Sequence, residues 1–319
     1  MDIERIYTAQ ALTDLAKERF REERALNHLE GWFLAREIAM ECDDTFRDDP
    51  DCIRITRTLK EVVSRIPLTL GDYHVFAGTQ DDAFARSYAL INPAFTVKSF
   101  AGYCDPVAVF GDIDPIGDIT RERIDRVKDY YSRNDFARAL TAAYKPVEKL
   151  TGEAVFFLEQ VTGHVVPDVR EYLRHGASGI LSELEARRAQ ADPSKQVYYD
   201  AMRLSVEALL LLAKRYRDMA IEKAARSEGD ARERFALMAR TLEWVPERGA
   251  RNLYEAIQSF LLIWQLMTLE QTPNPFAFSV GNADRIFEPY RAMEDTGRDM
   301  TAALLKHLLV FFKIGRAHV

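Results

Sequence analysis

His164 and Asp168 stand four positions apart in the run Gly163-His164-Val165-Val166-Pro167-Asp168 and are the polar pair of this sequence best placed for proton chemistry. An imidazole and a carboxylate on one turn can hold or move a proton on a bound substrate, which is the work of a general acid or base. Each also has a structural use. Asp168 follows Pro167 where a helix N-cap carboxylate belongs, and His164 can satisfy backbone groups within the turn. His164, Asp168 and His175 do not make a metal site, because no ligand set with a recognised spacing is present. Cys42, Cys52 and Cys104 are widely spaced and lack a C-x-x-C pair, so they indicate neither a disulfide framework nor a zinc knuckle and read as reduced packing residues. His28, His74 and His307 are isolated and read as structural. P-loop, G-x-G-x-x-G, H-E-x-x-H and G-x-S-x-G patterns are absent, which leaves nucleotide and hydrolase readings unsupported.

The elements that must position this chemistry are mostly helical. The best marked is the helix opening at Asn252, whose side chain can cap it while Glu255, three places on, reaches back as a capping-box carboxylate. Leu253, Ile257, Phe260, Leu261, Trp264 and Met267 then recur at helical spacing and predict one buried apolar face. Pro273 and Pro275 stop this helix, and 276–282 follows as a short extended run. Elsewhere the patterning predicts helices over 12–27, 32–42, 53–66, 180–191, 196–227, 231–244 and 302–312, with a solvated loop at 43–51. Thr120 should cap a helix running to Ser132, Asp135 another to Leu150, and Asp168 a short one ended by Gly176. Arg121, Arg123, Arg126 and Lys128 alternate with acids and read as a solvated face. Between 67 and 110, short extended runs are broken by glycine and proline, the one sizeable irregular or β-containing region. The expected fold class is mainly α with some β.

Composition narrows the function classes. A chain of 319 residues that is 47% hydrophobic has enough apolar material for a sizeable core, and no linker or repeat divides it. A net charge of −7 argues against a nucleic-acid partner, which needs a concentrated basic face. A charged N-terminal segment without an apolar run, and no stretch of bilayer-spanning length, predict a cytoplasmic protein with no membrane partner.

Several segments, taken in order, resemble the glycyl radical enzymes, the family of pyruvate formate-lyase and the radical diol, glycerol and choline lyases. They are the E-A-I-Q of Glu255 to Gln258, Glu270, the S-x-G of Ser279 to Gly281, and D-R-I-F-E-P-Y from Asp284 to Tyr290. Upstream lie G-H-x-x-P-D from Gly163, then Leu173, Gly176, Gly179 and Ile180, the K-R-Y-x-x-M-A of Lys214 to Ala220, and Ile66-Pro67 followed by Phe76-Ala77-Gly78. The likeness implies the N-terminal part of the family's α/β barrel, with the barrel incomplete. It implies a parent enzyme in which a protein-based glycyl radical generates a cysteine thiyl that abstracts hydrogen from a small organic substrate. It also implies a homodimer and a radical S-adenosylmethionine activating enzyme. Neither radical loop is recognisable around Cys42, Cys52, Cys104 or Gly281, so the resemblance assigns no catalytic residue and no bound cofactor here. It marks His164, Asp168, Phe276, Ala277 and Ser279 as substrate-side candidates. Phe276 and Ala277 replace the polar side chains of polyol dehydratases and favour a less polar or aromatic substrate; Phe276 and Phe278 also suit a strand core. Asn282 stands where many relatives carry arginine, which weakens an anion site there. The alternative is a helical scaffold or binding protein that uses the same packing without catalysis.

The last six residues, Ile314-Gly315-Arg316-Ala317-His318-Val319, match the in-frame translation of a widely used sequencing adapter whose next triplet is a stop codon. We therefore expect residues 1–312 to be a partial pyruvate formate-lyase-type domain and 313–319 to be a non-native tail, so that the chain is an inactive N-terminal fragment of its parent.

Overall fold

The computed structural model describes residues 2–25, 30–78, 115–133, 166–270 and 280–312, together with 142, 146, 149 and 150. Among these, the N-terminal elements are α1 (Ile3–Ile6), α2 (Ala9–Ala25), α3 (Glu30–Thr45), α4 (Asp51–Arg65) and α5 (Arg121–Arg133). They are followed by α6 (Arg170–Gln190), α7 (Pro193–Arg226), α8 (Gly229–Leu242), α9 (Leu253–Glu270), α10 (Ala283–Met293) and α11 (Arg298–Phe312). The mainly α expectation holds. The expected β content does not: among the described residues the only pairing is an isolated bridge between Ile116 and Ile119.

The reason is visible at residues 66–78. Ile66, Leu68 and Leu70 are buried while Pro67 and Thr69 face out, the alternation of an extended chain, and Val75, Phe76 and Ala77 are then buried in succession. Among the described residues no second strand pairs with this arm. Side chains of α9 supply its partners instead, as described below.

The 34-residue α7 is the longest helix among the described residues. Pro193 occupies its first turn, and the Asp192 carboxylate accepts from Ser194 N at 2.9 Å, so its N-terminus is both preorganised and capped. It packs against α8, α4 and α6, burying Val206, Leu209, Leu212 and Tyr216. Lys60 of α4 reaches Glu207 at 2.7 Å, and Arg215 donates to Val63 O in the last turn of α4. A guanidinium satisfying a helix's terminal carbonyls is favoured by both hydrogen bonding and the macrodipole. The same device closes α9, where Arg36 of α3 donates to Leu269 O at 3.1 Å.

α9 departs from the expected one-sided pattern. Its described side chains are almost all buried, including Glu255, Gln258, Ser259 and Gln265. A helix enclosed on every side lies at the centre of its layer, and α9 touches α4, α6, α7, α8, α10 and α11. The capping box forms nearly as expected. Glu255 N donates to Asn252 Oδ1 at 2.9 Å, and the Glu255 carboxylate accepts in return from Arg251 N at 2.8 Å, one residue before the position expected. Thr120 Oγ1 likewise accepts from Arg123 N at 3.3 Å at the start of α5.

Two further expectations change. The loop at 43–51 is shorter, since α3 runs to Thr45 and α4 starts at Asp51. The face of α5 read as solvated is partly an interface, because Arg123 and Arg126 both pair with the buried Glu37 of α3. Of the helix expected over 135–150 only 142, 146, 149 and 150 are described, and these are helical; the extended run at 276–279 lies outside the described residues.

Candidate functional site

Gly176 breaks α6 with φ 68° and ψ 176°, yet the helix resumes at once. The resumption depends on residues 246–250, which cross the break. Ala177 N donates to Pro246 O at 2.8 Å and Ser178 N to Glu247 O at 2.9 Å, so the restarted helix has acceptors for its first amides. Ala250 N donates to Leu173 O at 2.8 Å and seals the end of the first half. The approach is close enough to exclude any side chain on either partner. A Cβ on Gly176 would lie inside the backbone of Arg248 and Glu247, and one on Gly249 inside Arg174 O. Gly176 therefore does not end a helix as expected; it opens a seat for a second chain segment. Beside the crossing, Trp244 donates from Nε1 to Gly249 O at 2.8 Å and is flanked by the guanidinium groups of Arg248 and Arg251, 4.7 and 4.1 Å from its ring centroid.

The second junction joins the arm to α9. Gln258 pairs both backbone groups of Ala77: Ala77 N donates to Oε1 and Nε2 donates to Ala77 O, each at 2.9 Å. Its amide thus stands in for a neighbouring strand. Tyr254 donates to Val75 O at 2.6 Å and stacks on Phe76 with ring centroids 4.7 Å apart. Burial raises the Tyr254 phenol above its ordinary value, which keeps it a neutral donor. Gly78, at φ 76°, lies where a Cβ would sit 2.5 Å from Gln265 Oε1, and Gln265 Nε2 donates to Tyr216 of α7 at 2.9 Å. One helix thereby ties the E-A-I-Q, F-A-G and K-R-Y segments together. A third junction seats Gly281, φ 76°, against Val166, where a Cβ would be 2.8 Å from Cγ1, and Phe287 of α10 packs edge-on to Phe260 of α9 at 5.8 Å.

Of the five candidate side chains, only Asp168 is among the described residues; His164, Phe276, Ala277 and Ser279 lie outside them. Asp168 is exposed and paired with Arg170, accepting from Nε at 2.8 Å, Nη2 at 2.7 Å and backbone N at 3.2 Å. The Arg170 side chain and amide hold its carboxyl down to about 2, so at neutral pH it is an anion and an acceptor, not a proton donor. Its hydrogen bond to the second amide of the turn keeps part of the expected capping role, although Val169 occupies the boundary position of α6. His175 lies 3.4 Å from Glu171 on the same helix, and no metal-binding cluster occurs among the described residues. Cys42 is buried, with burial raising its thiol; Cys104 lies outside the described residues. A cavity of about 360 Å³ at the start of α9 is bordered by Arg251, Glu255 and Arg240. It sits roughly 25 Å along the helix from the end that leads toward the candidate wall, at the usual rise per residue.

The family model described as pyruvate formate lyase-like matches residues 5–313. The chain belongs to this family, that of the glycyl radical enzymes. The isethionate sulfite-lyase of Bilophila wadsworthia (strain 3_1_6) is 33% identical over 149 residues, covering 44% of this chain and 17% of that protein. The glycerol-bound B12-independent glycerol dehydratase from Clostridium butyricum superposes with a TM-score of 0.69 at 21% identity, over 92% of this chain and 39% of that one. A glycyl radical enzyme from Archaeoglobus fulgidus gives 0.70 at 20% identity, over 93% of this chain and 40% of that one. This chain thus spans about two fifths of the solved glycyl radical enzymes it resembles, and the two likenesses under a quarter identity establish the shared fold.

Within that fold the described motif residues act as joints. The sequence reading missed Gln258 as the residue that holds the arm, although a signal existed: it is one of the few polar residues in a largely apolar helical run.

Proposed function

We propose that this chain is the N-terminal part of a glycyl radical lyase or dehydratase and supplies scaffold and one wall of the substrate pocket without reacting itself. What chiefly supports this is that the motif segments join around α9 through buried hydrogen bonds and close glycine contacts, in a chain matched to the family from residue 5 to 313. In the complete enzyme, a glycyl radical relayed to a cysteine supplies hydrogen abstraction from the substrate. Among the described residues Gly281 is seated on Val166, and neither the buried Cys42 nor the half-buried Cys52, whose thiol faces Val197 O at 4.0 Å, lies in a segment resembling the family's cysteine loop. The reacting groups are therefore assigned to the part of the family's length that this chain does not span. The names of the relatives, a sulfite-lyase and a dehydratase, favour elimination over acyl transfer.

In this reading His164 contacts the substrate's leaving group, and Phe276, Ala277 and Ser279 line an apolar wall suited to a less polar or aromatic substrate. Asp168, already ionised and paired with Arg170, orients the turn that carries His164. The arm and the run at 276–282 contribute to an incomplete α/β barrel, residues 1–312 form a partial pyruvate formate-lyase-type domain, and 313–319 are a non-native tail. The intact protein is an anaerobic, cytoplasmic homodimer activated by a radical S-adenosylmethionine enzyme. No helix among the described residues is long and apolar enough to cross a membrane.

Recovery of the full reading frame tests the proposal. A cysteine loop and then a glycine loop should follow, and the complete protein, activated anaerobically, should give a glycyl-radical resonance signal. A frame holding neither loop would overturn the reading. Expressed alone, the chain should expose apolar faces and bind hydrophobic dye; a monomer that melts cooperatively without dye binding would count against its being a partial domain.

A further inference from the structure

The contact between α2 and α11 encloses an imidazole. His307 is fully buried, and its Nε2 lies 2.9 Å from Leu12 O of α2. A carbonyl only accepts, so Nε2 carries the proton and Nδ1 is the bare nitrogen of a neutral ring. Nδ1 has no hydrogen-bond partner among the described residues. The charges acting on the ring come from basic groups, namely Arg19 of α2, His74 of the arm and Arg234 of α8, while Phe76 meets it edge-on at 6.3 Å. A second proton would place a positive charge in an enclosed contact, beside the Arg19 guanidinium and with no acceptor for the new N–H among the described residues. Another polar link across this contact, Lys306 Nζ to Thr13 Oγ1 at 3.1 Å, is exposed.

We infer that the α2–α11 contact is an acid-releasable latch: protonation of His307 at Nδ1 undocks α11 from α2 while α4, α7 and α8 remain packed. These three helices contain no histidine, so no imidazole of theirs charges in the same pH range. The direction follows from proton linkage. Burial, reinforced by Arg19, brings the docked ring down to about 3 from the ordinary 6.5. The released ring therefore binds a proton more readily than the docked one, so docking is fully present above the ordinary value and weakens as pH falls toward the docked one.

Hydrogen exchange of the complete protein, followed from neutral pH to about pH 4.5, tests the latch. After correction for intrinsic rates, α2 and α11 amides should lose protection together, by up to about tenfold per pH unit, while α7 amides keep theirs. In His307→Gln, whose side chain can still donate to Leu12 O but cannot titrate, this pH dependence should vanish; His74→Gln should retain it. Loss of protection in step with α7, or an unchanged slope in His307→Gln, would overturn the inference. Should that variant fail to fold, imidazole NMR of the unaltered protein decides. A His307 ring that stays neutral and Nε2-protonated while α11 is docked supports the latch. One that titrates near its ordinary value with α11 still docked refutes it.

Discussion

The crossing of α6 by residues 246–250 and the contact of α3 with α5 both join segments far apart in sequence, and they are held by opposite means. At the crossing, three backbone hydrogen bonds and two glycines bring main chain against main chain. At the α3–α5 contact, a small cluster of Phe33, Ile119, Ile124 and Val127 packs under the buried Glu37 carboxylate, which both Arg123 and Arg126 grip. A backbone seat has no spare volume and no substitute partner, whereas a charge cluster keeps some of its attraction when one member changes. The first kind of junction should fail abruptly and the second by degrees.

The comparison breaks most severely at Gly249. Gly249→Ala forces a Cβ into Arg174 O, where neither main chain can yield, and should cost about 3 kcal/mol or more, enough to abolish soluble expression. Gly297→Ala is the control, since nothing lies within 4 Å of the added carbon, and its melting temperature should be unchanged. Gln258→Leu comes next. It keeps the volume but orphans the buried N–H and C=O of Ala77, a loss of about 2 to 4 kcal/mol at roughly 1 to 2 per unmade bond, measured by denaturant unfolding.

Glu37→Gln should cost less, about 1 to 2 kcal/mol, because the amide retains an acceptor for one arginine. It also carries a pH signature. Burial alone would raise the Glu37 carboxyl, but the hydrogen bonds and charges of Arg123 and Arg126 outweigh it and leave it lowered. Its contribution is thus present above the ordinary carboxylate value and is lost as pH falls through the lowered one. The difference between wild type and Glu37→Gln should therefore shrink in acid. Smallest of all is Arg187→Ala, which removes an exposed pair with Glu183 and should stay within about 0.5 kcal/mol in thermal melts. A large loss there would undo the distinction between the two kinds of junction.

The sequence revealed helices wherever local chemistry marks them. The Asn252 and Glu255 box and the Thr120 cap both rest on residues within a few positions of one another, whereas the helix expected from 196 starts at Pro193 behind the Asp192 cap. What it concealed depends on distant partners. Gly176 reads as a stop because its left-handed backbone ends most helices, but amides at 177 and 178 find acceptors 69 residues later at Pro246 and Glu247. The arm reads as part of an irregular or β-containing region because its short extended runs are broken by glycine and proline, yet the described groups pairing with it are side chains on a helix. α9 reads as amphipathic because Gln258 and Gln265 are polar, and only the fold shows those amides pointed at buried partners. α10 carries Pro289 within it, a residue that argues against a helix from sequence alone. The candidate site was legible as motifs but divides unevenly: Asp168 appears as an ionised, paired residue, and the other four positions lie outside the described chain.

The α6 crossing has one more consequence. The chain departs from it at Ala177, runs out through the second half of α6, along α7 and back through α8, and returns to the same place at Pro246. This stretch is an excursion whose two ends are pinned to each other, so its far turn at Ala191 and Asp192 can be lengthened without disturbing where the ends meet. Evolution could insert new sequence at that turn and leave the joint that aligns the family's motifs untouched.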